Sequence, residues 1–204
     1  MSARGRFITF EGIDGAGKST QIDFVAGRLR ARGVDVVVTR EPGGTEIGEV
    51  LRELVLRRPM SARTETLLVF AARAQHVEQV IAPALAAGRW IVCDRFTDAT
   101  YAYQSGGRGV PEAAVEALER WVHPGLQPDL TFLFDVSPDV AARRLATARA
   151  ADRFEAQQRD FFARVRAVYL ERARRFPERF VVLDGAQAEE AVRARLLEAL
   201  DRWS

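Results

Sequence analysis

The sequence predicts an α/β domain built on a doubly wound, five-stranded parallel sheet with helices on both faces. Three observations lead there. Short β-branched or aromatic runs alternate with longer stretches of helical spacing, and that alternation builds a parallel sheet. The first strand and helix are joined by Gly12-Ile13-Asp14-Gly15-Ala16-Gly17-Lys18-Ser19, which fits the phosphate-binding pattern G-x-x-x-x-G-K-[ST]. The chemically informative residues fall just after strands, where ligands gather on open parallel sheets. These are the glycine loop, Arg40 onward, Asp94-Arg95 and Asp135. A chain of 204 residues has room for one domain, 1–204, with a real core.

Each element has its own signal. Arg6-Phe7-Ile8-Thr9-Phe10-Glu11 reads as a buried first strand, and Thr20 to Arg32 as a helix with Ile22, Phe24, Val25 and Leu29 apolar. Gly33 stops it, and the β-branched run Val34 to Thr39 is a second strand. Arg40-Glu41-Pro42-Gly43-Gly44-Thr45 is a loop of turn formers. Ile47 to Leu56 is helical, Pro59 to Thr64 a break, and Glu65 to Ala86 a long helix with a bend expected near Pro83. After Gly88, Trp90 to Cys93 is a third strand, closed by Asp94-Arg95. Phe96 to Gln104 starts a helix, Ser105 to Gly109 is a loop, and Pro111 opens the helix Glu112 to Val122. Asp129 to Asp135 is the fourth strand, followed by a helix from Pro138 to about Leu145. Ala148 to Phe154 is basic and lacks a pattern, Glu155 to Arg175 is a long helix, Phe180 to Leu183 a fifth strand, and Ala188 to Trp203 the last helix.

The glycine loop has a clear chemistry. Its glycines let successive N–H groups point at phosphate oxygens, and the helix start adds its positive dipole end. Gly12 to Thr20 would hold the triphosphate of ATP, with Lys18 at the β- and γ-phosphates and the Ser19 hydroxyl on magnesium. Lys18 is the only lysine of the chain, and asparagine is absent. A compact ammonium thus stands where a guanidinium would be too bulky.

Composition excludes several classes. A formal charge of +2 gives no electrostatic footprint for nucleic acid. A single cysteine, Cys93, lies in an apolar run and reads as a buried thiol, with no disulfide framework or cysteine metal cluster. No signal peptide and no apolar run of membrane length is visible, so a cytoplasmic protein is expected.

A phosphate loop alone leaves a small-substrate kinase, a GTP switch or an ATPase motor. A switch would need a guanine-reading N-K-x-D, which a chain without asparagine cannot have. A motor would need sensor elements for which there is no room. The arginines favour a kinase, since phosphoryl transfer between two anions calls for cations on donor, acceptor and moving group. Candidates are Arg52, Arg73, Arg95, Arg149 and Arg153. Arg95 stands out, directly after an apolar strand and beside Asp94, which could orient magnesium or its waters. The only histidines, His76 and His123, do not look placed as a base. A phosphate monoester with a second pKa of about 6 needs none, so a nucleoside monophosphate is the natural acceptor.

The ordered set F-E-G-I-D-G-A-G-K-S-T, T-R-E-P-G-G-T, F-A-A-R-A-Q-H, D-R-F-T-D-A-T-Y-A-Y-Q-S-G-G-R-G, P-D-L-T-F-L-F-D-V and D-R-F-E resembles bacterial thymidylate kinase over nearly the whole chain. The resemblance implies a P-loop nucleoside monophosphate kinase fold, a homodimer, and the reaction of ATP with dTMP to give ADP and dTDP, with magnesium, toward dTTP. It implies that Asp14 meets the sugar 3′-hydroxyl or the magnesium shell, and that Arg73 and Arg95 clamp the acceptor phosphate. Glu41 and Pro42 would shape the wall there, with Arg52 joining from the next helix. Tyr103 would fill the place of a ribose 2′-hydroxyl. Thr100 and Gln104 would meet the thymine edge, with Arg108 a weaker candidate, and Phe70 would stack on the base. In several relatives the stacking aromatic stands four residues before the arginine, where this chain has Val69. The loop carries Gly15-Ala16 and no arginine. The chain therefore resembles the type whose catalytic arginine comes from a lid, here about residues 146–156 with Arg149 and Arg153. The turn Asp184-Gly185-Ala186-Gln187 is expected near adenine. The rival readings are another nucleoside monophosphate kinase and a regulatory nucleotide-binding module without turnover.

Overall fold

The computed structural model describes residues 4–145 and 153–202, and the side chains of these except 153–158. Five strands, β1 (Phe7–Glu11), β2 (Val36–Arg40), β3 (Trp90–Asp94), β4 (Leu130–Asp135) and β5 (Phe180–Asp184), form one sheet in the order β2-β3-β1-β4-β5. Every pairing is parallel. β1 is buried at all five positions and lies between β3 and β4. The chain leaves β1 toward β2 on one side and reaches β4 on the other, so a crevice opens beyond the end of β1.

The helices start where local chemistry permits. α1 (Lys18–Ala31) opens at Gly17, whose φ of 92° suits glycine. Thr45 caps α2 (Glu46–Arg57), its side chain accepting from Gly48 N at 3.0 Å. Ser61 caps α3 (Ala62–His76) in the same way from Thr64 N at 3.1 Å. That cap starts the helix inside the break expected over 59–64. α3 continues through a π-helical turn, Val77–Ile81, into α4 (Ala82–Ala86). Pro83, where a bend is expected, stands in the first turn of α4 directly after this wider turn, at a position that tolerates a residue with no N–H. Gly88 ends α4 at φ 77°, with Gly88 N bonded to Leu85 O and Arg89 N to Ala84 O.

α5 (Thr97–Thr100) runs into a second π-helical segment, Tyr101–Gly107, so helical backbone extends into the expected loop. α6 (Glu112–Val122), α7 (Pro138–Leu145), α8 (Arg153–Arg175) and α9 (Glu189–Asp201) follow.

Alternation along β1 separates two environments. Ile8 and Phe10 face an apolar core with Phe132, Val25 and Leu196, and burying each phenylalanine contributes about 2–3 kcal/mol. The opposite face carries Phe7, Thr9 and Glu11, and much of what covers it is polar. Thr9 and Thr131 share a hydrogen bond of 2.9 Å, and Arg179 donates to Thr131 Oγ1 at 2.9 Å and to Asp98 Oδ2 at 2.7 Å. Arg172 donates to Asp98 from α8, and Tyr169 OH donates to Glu11 Oε2 at 2.8 Å. All of these side chains are buried. Cys93 is fully buried too, as its apolar run implies.

Candidate active site

A cleft of about 630 Å³ lies over the strand ends, lined by the glycine loop, Asp94-Arg95 and the segment after β2. Gly12 and Ile13 form the buried floor of the loop, and Ser19 and Thr20 are exposed at the start of α1. Gly12 has φ 136°, and a Cβ there would lie 2.6 Å from the Phe134 carbonyl oxygen, so only glycine fits. Lys18 is buried, and its Nζ donates to the carbonyls of Gly12 at 3.1 Å and Ile13 at 3.4 Å. Burial, helped by the charge of Arg95, pushes the Lys18 ammonium down to about 8, with Asp94, Asp14 and Glu11 opposing.

Arg95 sits at the junction of β3 and α5 with φ 72°, a conformation a bulky residue adopts only under constraint. The constraint is visible. Arg95 N donates to Phe10 O at 3.0 Å, Phe96 N to Glu11 Oε1 at 2.8 Å, and the Cys93 thiol to Arg95 O at 3.0 Å. The turn aims the guanidinium across the end of β1. There Nη2 donates to Asp14 Oδ1 at 2.7 Å, Tyr103 OH at 2.9 Å and Gly12 O at 3.2 Å. Its carbon also lies 4.6 Å from the Tyr103 ring centroid. Burial, with Asp98 adding to it, pushes the Glu11 carboxyl up to about 8, against the hydrogen bonds from Tyr169 and Phe96.

Arg73 is fully buried on α3. Its Nε donates to Glu41 Oε2 at 2.7 Å and its Nη2 to Thr100 Oγ1 at 3.0 Å, while Nη1 is buried with no partner among the described residues. Glu41 is also bonded to His76 Nδ1 at 2.9 Å, and His76 Nε2 to Thr39 Oγ1 at 2.7 Å. Burial works to raise the Glu41 pKa, but Arg73 and His76 outweigh it and hold the carboxyl below its usual range. Pro42 follows through a cis peptide bond, and its carbonyl accepts from Arg52 Nη1 at 2.7 Å. His123 bonds Thr97 Oγ1 at 2.8 Å and Leu126 O at 3.1 Å.

Glu41, Pro42, Arg52, Arg73, Thr100, Tyr103 and Gln104 all line the cleft. Phe70 does not. Its ring is buried against Tyr101 and Val115 and beneath the Arg73 guanidinium, 4.7 Å from the centroid. Phe70, expected to stack on a base, is not among the residues lining the cleft, whereas Val69, one residue earlier, is. Helical geometry turns neighbouring residues about 100° apart, and here it sends the ring to the core. Arg149 lies outside the described residues. Arg153 is the first residue of α8, and its side chain lies outside them.

Asp94 and Ser19 line the cleft together, and Asp94 Oδ1 is buried without a partner among the described residues. A carboxylate and a hydroxyl lining one cleft suit a hard divalent cation such as magnesium, which takes only one or two protein oxygens beside phosphates. Among the described residues no group of three or more His, Cys, Asp or Glu forms a metal cage.

A family model described as thymidylate kinase matches residues 10–196. The chain belongs to the thymidylate kinase family. It is 60% identical over 196 residues to the thymidylate kinase of Bordetella pertussis, covering 96% of this chain and 94% of that one. It is 57% identical over 197 residues to that of Methylobacillus flagellatus, covering 97% of each. The crystal structure of thymidylate kinase from Ehrlichia chaffeensis superposes with a TM-score of 0.78 at 34% identity, covering 97% of this chain and 99% of that one.

One residue beside the glycine loop carries no signal of its own in the sequence. Arg144, on α7, donates to Gly185 O at 2.7 Å and Ala16 O at 3.3 Å, tying the glycine loop to the turn after β5. It lines both the main cleft and a cavity of about 220 Å³ with Gly185 and Gln187. In sequence Arg144 was one more basic residue on a short helix.

Proposed function

We propose that this chain transfers the γ-phosphoryl group of ATP to dTMP, the reaction of its family, giving ADP and dTDP. The observation that carries the reading is one continuous cleft running from the phosphate loop through Arg95 to Arg73, Thr100 and Gln104. An oxygen of the dTMP phosphate attacks the γ-phosphorus, the bond to the β–γ bridging oxygen breaks, and ADP leaves. The attacking oxygen is already ionised near neutrality, so no base is required.

Lys18 and the loop N–H groups hold the β- and γ-phosphates. Arg95, beside the loop, grips the acceptor phosphate where charge builds up. Arg73 was expected to share that clamp. Its charge is already matched by Glu41 and its Nη2 is tied to Thr100. We assign its free Nη1 to an acceptor oxygen at the Thr100 end of the cleft. Thr100 and Gln104 meet the base, Asp14 the sugar hydroxyl, and Tyr103 excludes a ribose 2′-hydroxyl. Glu41 and Pro42 shape the wall, with Arg52 holding Pro42. Asp94 and Ser19 would hold magnesium, which when bound neutralises phosphate charge during transfer. Arg149 and Arg153 supply the lid cations. Arg153→Ala is expected to lower kcat far more than it weakens ATP binding in single-turnover and titration measurements; an unchanged kcat rejects its role.

The test of the function is acceptor choice. A coupled ADP-release assay with dTMP, dUMP, UMP and AMP should favour dTMP, and a strong preference for AMP defeats the reading. The depressed Lys18 pKa adds a pH signature. The ammonium loses its proton as pH rises through about 8, so kcat/KM for ATP should fall above that value. A profile flat from pH 7 to 9.5 contradicts it.

We also propose a homodimer. Ile47, Val50 and Leu54 form an exposed apolar stripe on α2, and the neighbouring helix α3 exposes Leu67. Sedimentation should give about twice 22.7 kDa, and Val50→Glu should halve it. A wild-type monomer at micromolar concentration refutes this.

A further inference from the structure

Gln104 is buried, lines the cleft, and donates from Nε2 to Glu65 Oε1 at 2.9 Å. A carboxylate only accepts hydrogen bonds, so the amide has to present its nitrogen to Glu65. Its oxygen, Oε1, is then left for the cleft, with no hydrogen bond to protein among the described residues. Glu65 is itself held. Arg108 donates to its second oxygen at 2.6 Å and to the Met60 carbonyl at 3.2 Å. The carboxylate is thus fixed between a guanidinium on one oxygen and an amide on the other. Without such a partner the two ends of a glutamine amide are alike in shape, and either can face a ligand.

We propose that Glu65, braced by Arg108, determines base specificity by locking the Gln104 amide with its oxygen toward the acceptor base. An amide oxygen accepts a hydrogen bond and repels a lone pair. Thymine and uracil carry an N–H at position 3, whereas cytosine carries a lone pair there. The locked amide therefore selects thymine or uracil and rejects cytosine without touching the 5-methyl group. Glu65 acts through Gln104 and is a positioning residue. The inference rests on the reading that Gln104 faces the base.

The experiment compares kcat/KM for dTMP, dUMP and dCMP in the full-length wild type, Glu65→Gln and Gln104→Leu. A glutamine at position 65 keeps its oxygen on Arg108 and turns its nitrogen toward Gln104, so the Gln104 amide is drawn round to present its own nitrogen to the cleft. Glu65→Gln is expected to lower the preference for dTMP over dCMP by about tenfold or more, leaving the dTMP-to-dUMP ratio unchanged. A merely structural role would move all three acceptors together, and that result overturns the proposal. An unchanged dTMP-to-dCMP ratio in Glu65→Gln, with Gln104→Leu raising KM for dTMP, overturns the proposal but leaves Gln104 at the base. If Gln104→Leu leaves KM for dTMP unaltered, the underlying reading fails and the proposal falls with it.

Discussion

Arg95→Ala is expected to lower kcat/KM for dTMP about a thousandfold, with thermal unfolding close to that of the wild type. The magnitude follows from what the residue replaces. A cation held by the fold beside the phosphate loop meets developing charge without reorganising, and losing one such group costs about 10² to 10³ or more. The turn that aims it is made by backbone groups and by Glu11, none of which the substitution removes. Asp14 loses its partner, but it is half-exposed and solvated. Arg95→Lys should recover only part of the activity, because an ammonium that holds Asp14 and Tyr103 lacks the further N–H groups of a planar guanidinium, whose bonds to those two come from Nη2 alone. Steady-state kinetics with dTMP as the varied substrate decide the matter; a loss below tenfold removes Arg95 from the acceptor site.

Asp98→Ala is expected to destabilise the fold by about 3–5 kcal/mol, the cost of stranding buried cations by removing their counter-ion. Asp98 receives both Arg172 and Arg179, and all three side chains are at least nine-tenths buried. Urea unfolding with an unchanged slope would measure it, and a loss under 1 kcal/mol would contradict the argument. The pH dependence has a definite sign. Burial alone would raise the Asp98 pKa, but the hydrogen bonds and charges of Arg179 and Arg172 hold it below the ordinary value. Its contribution is therefore complete above the unfolded carboxylate pKa, and is lost as pH falls through the lower folded one.

Much of the fold could be read from local pattern. Strand-loop-helix alternation fixed the five strands and the site of the glycine loop, because these features are written within a dozen residues. The start of α3 was readable in principle from Ser61, whose hydroxyl caps the helix. Phe70 shows where pattern reading stops. α3 is apolar on more than one side, so spacing cannot say which residue, Val69 or Phe70, faces a ligand. Arg95 could be picked out because it follows a strand directly. Glu65, Arg144 and Tyr169 could not, since their partners stand 39, 41 and 158 residues away in sequence. In sequence Glu11 reads as the end of a strand, yet its carboxylate accepts the Phe96 N–H that holds the turn at Arg95.

The polar layer beneath β1 has a bearing on how this protein can drift. Thr131, Asp98, Arg172 and Arg179 come from four separate segments, and the one carboxylate, Asp98, is the shared partner of both guanidiniums. Changing one leaves its companions exposed as liabilities, so viable variants will alter several positions at once or none. A saturation scan read out by growth would score these positions as intolerant as the nucleotide cleft itself, and only a fold-sensitive assay would tell the two kinds of intolerance apart.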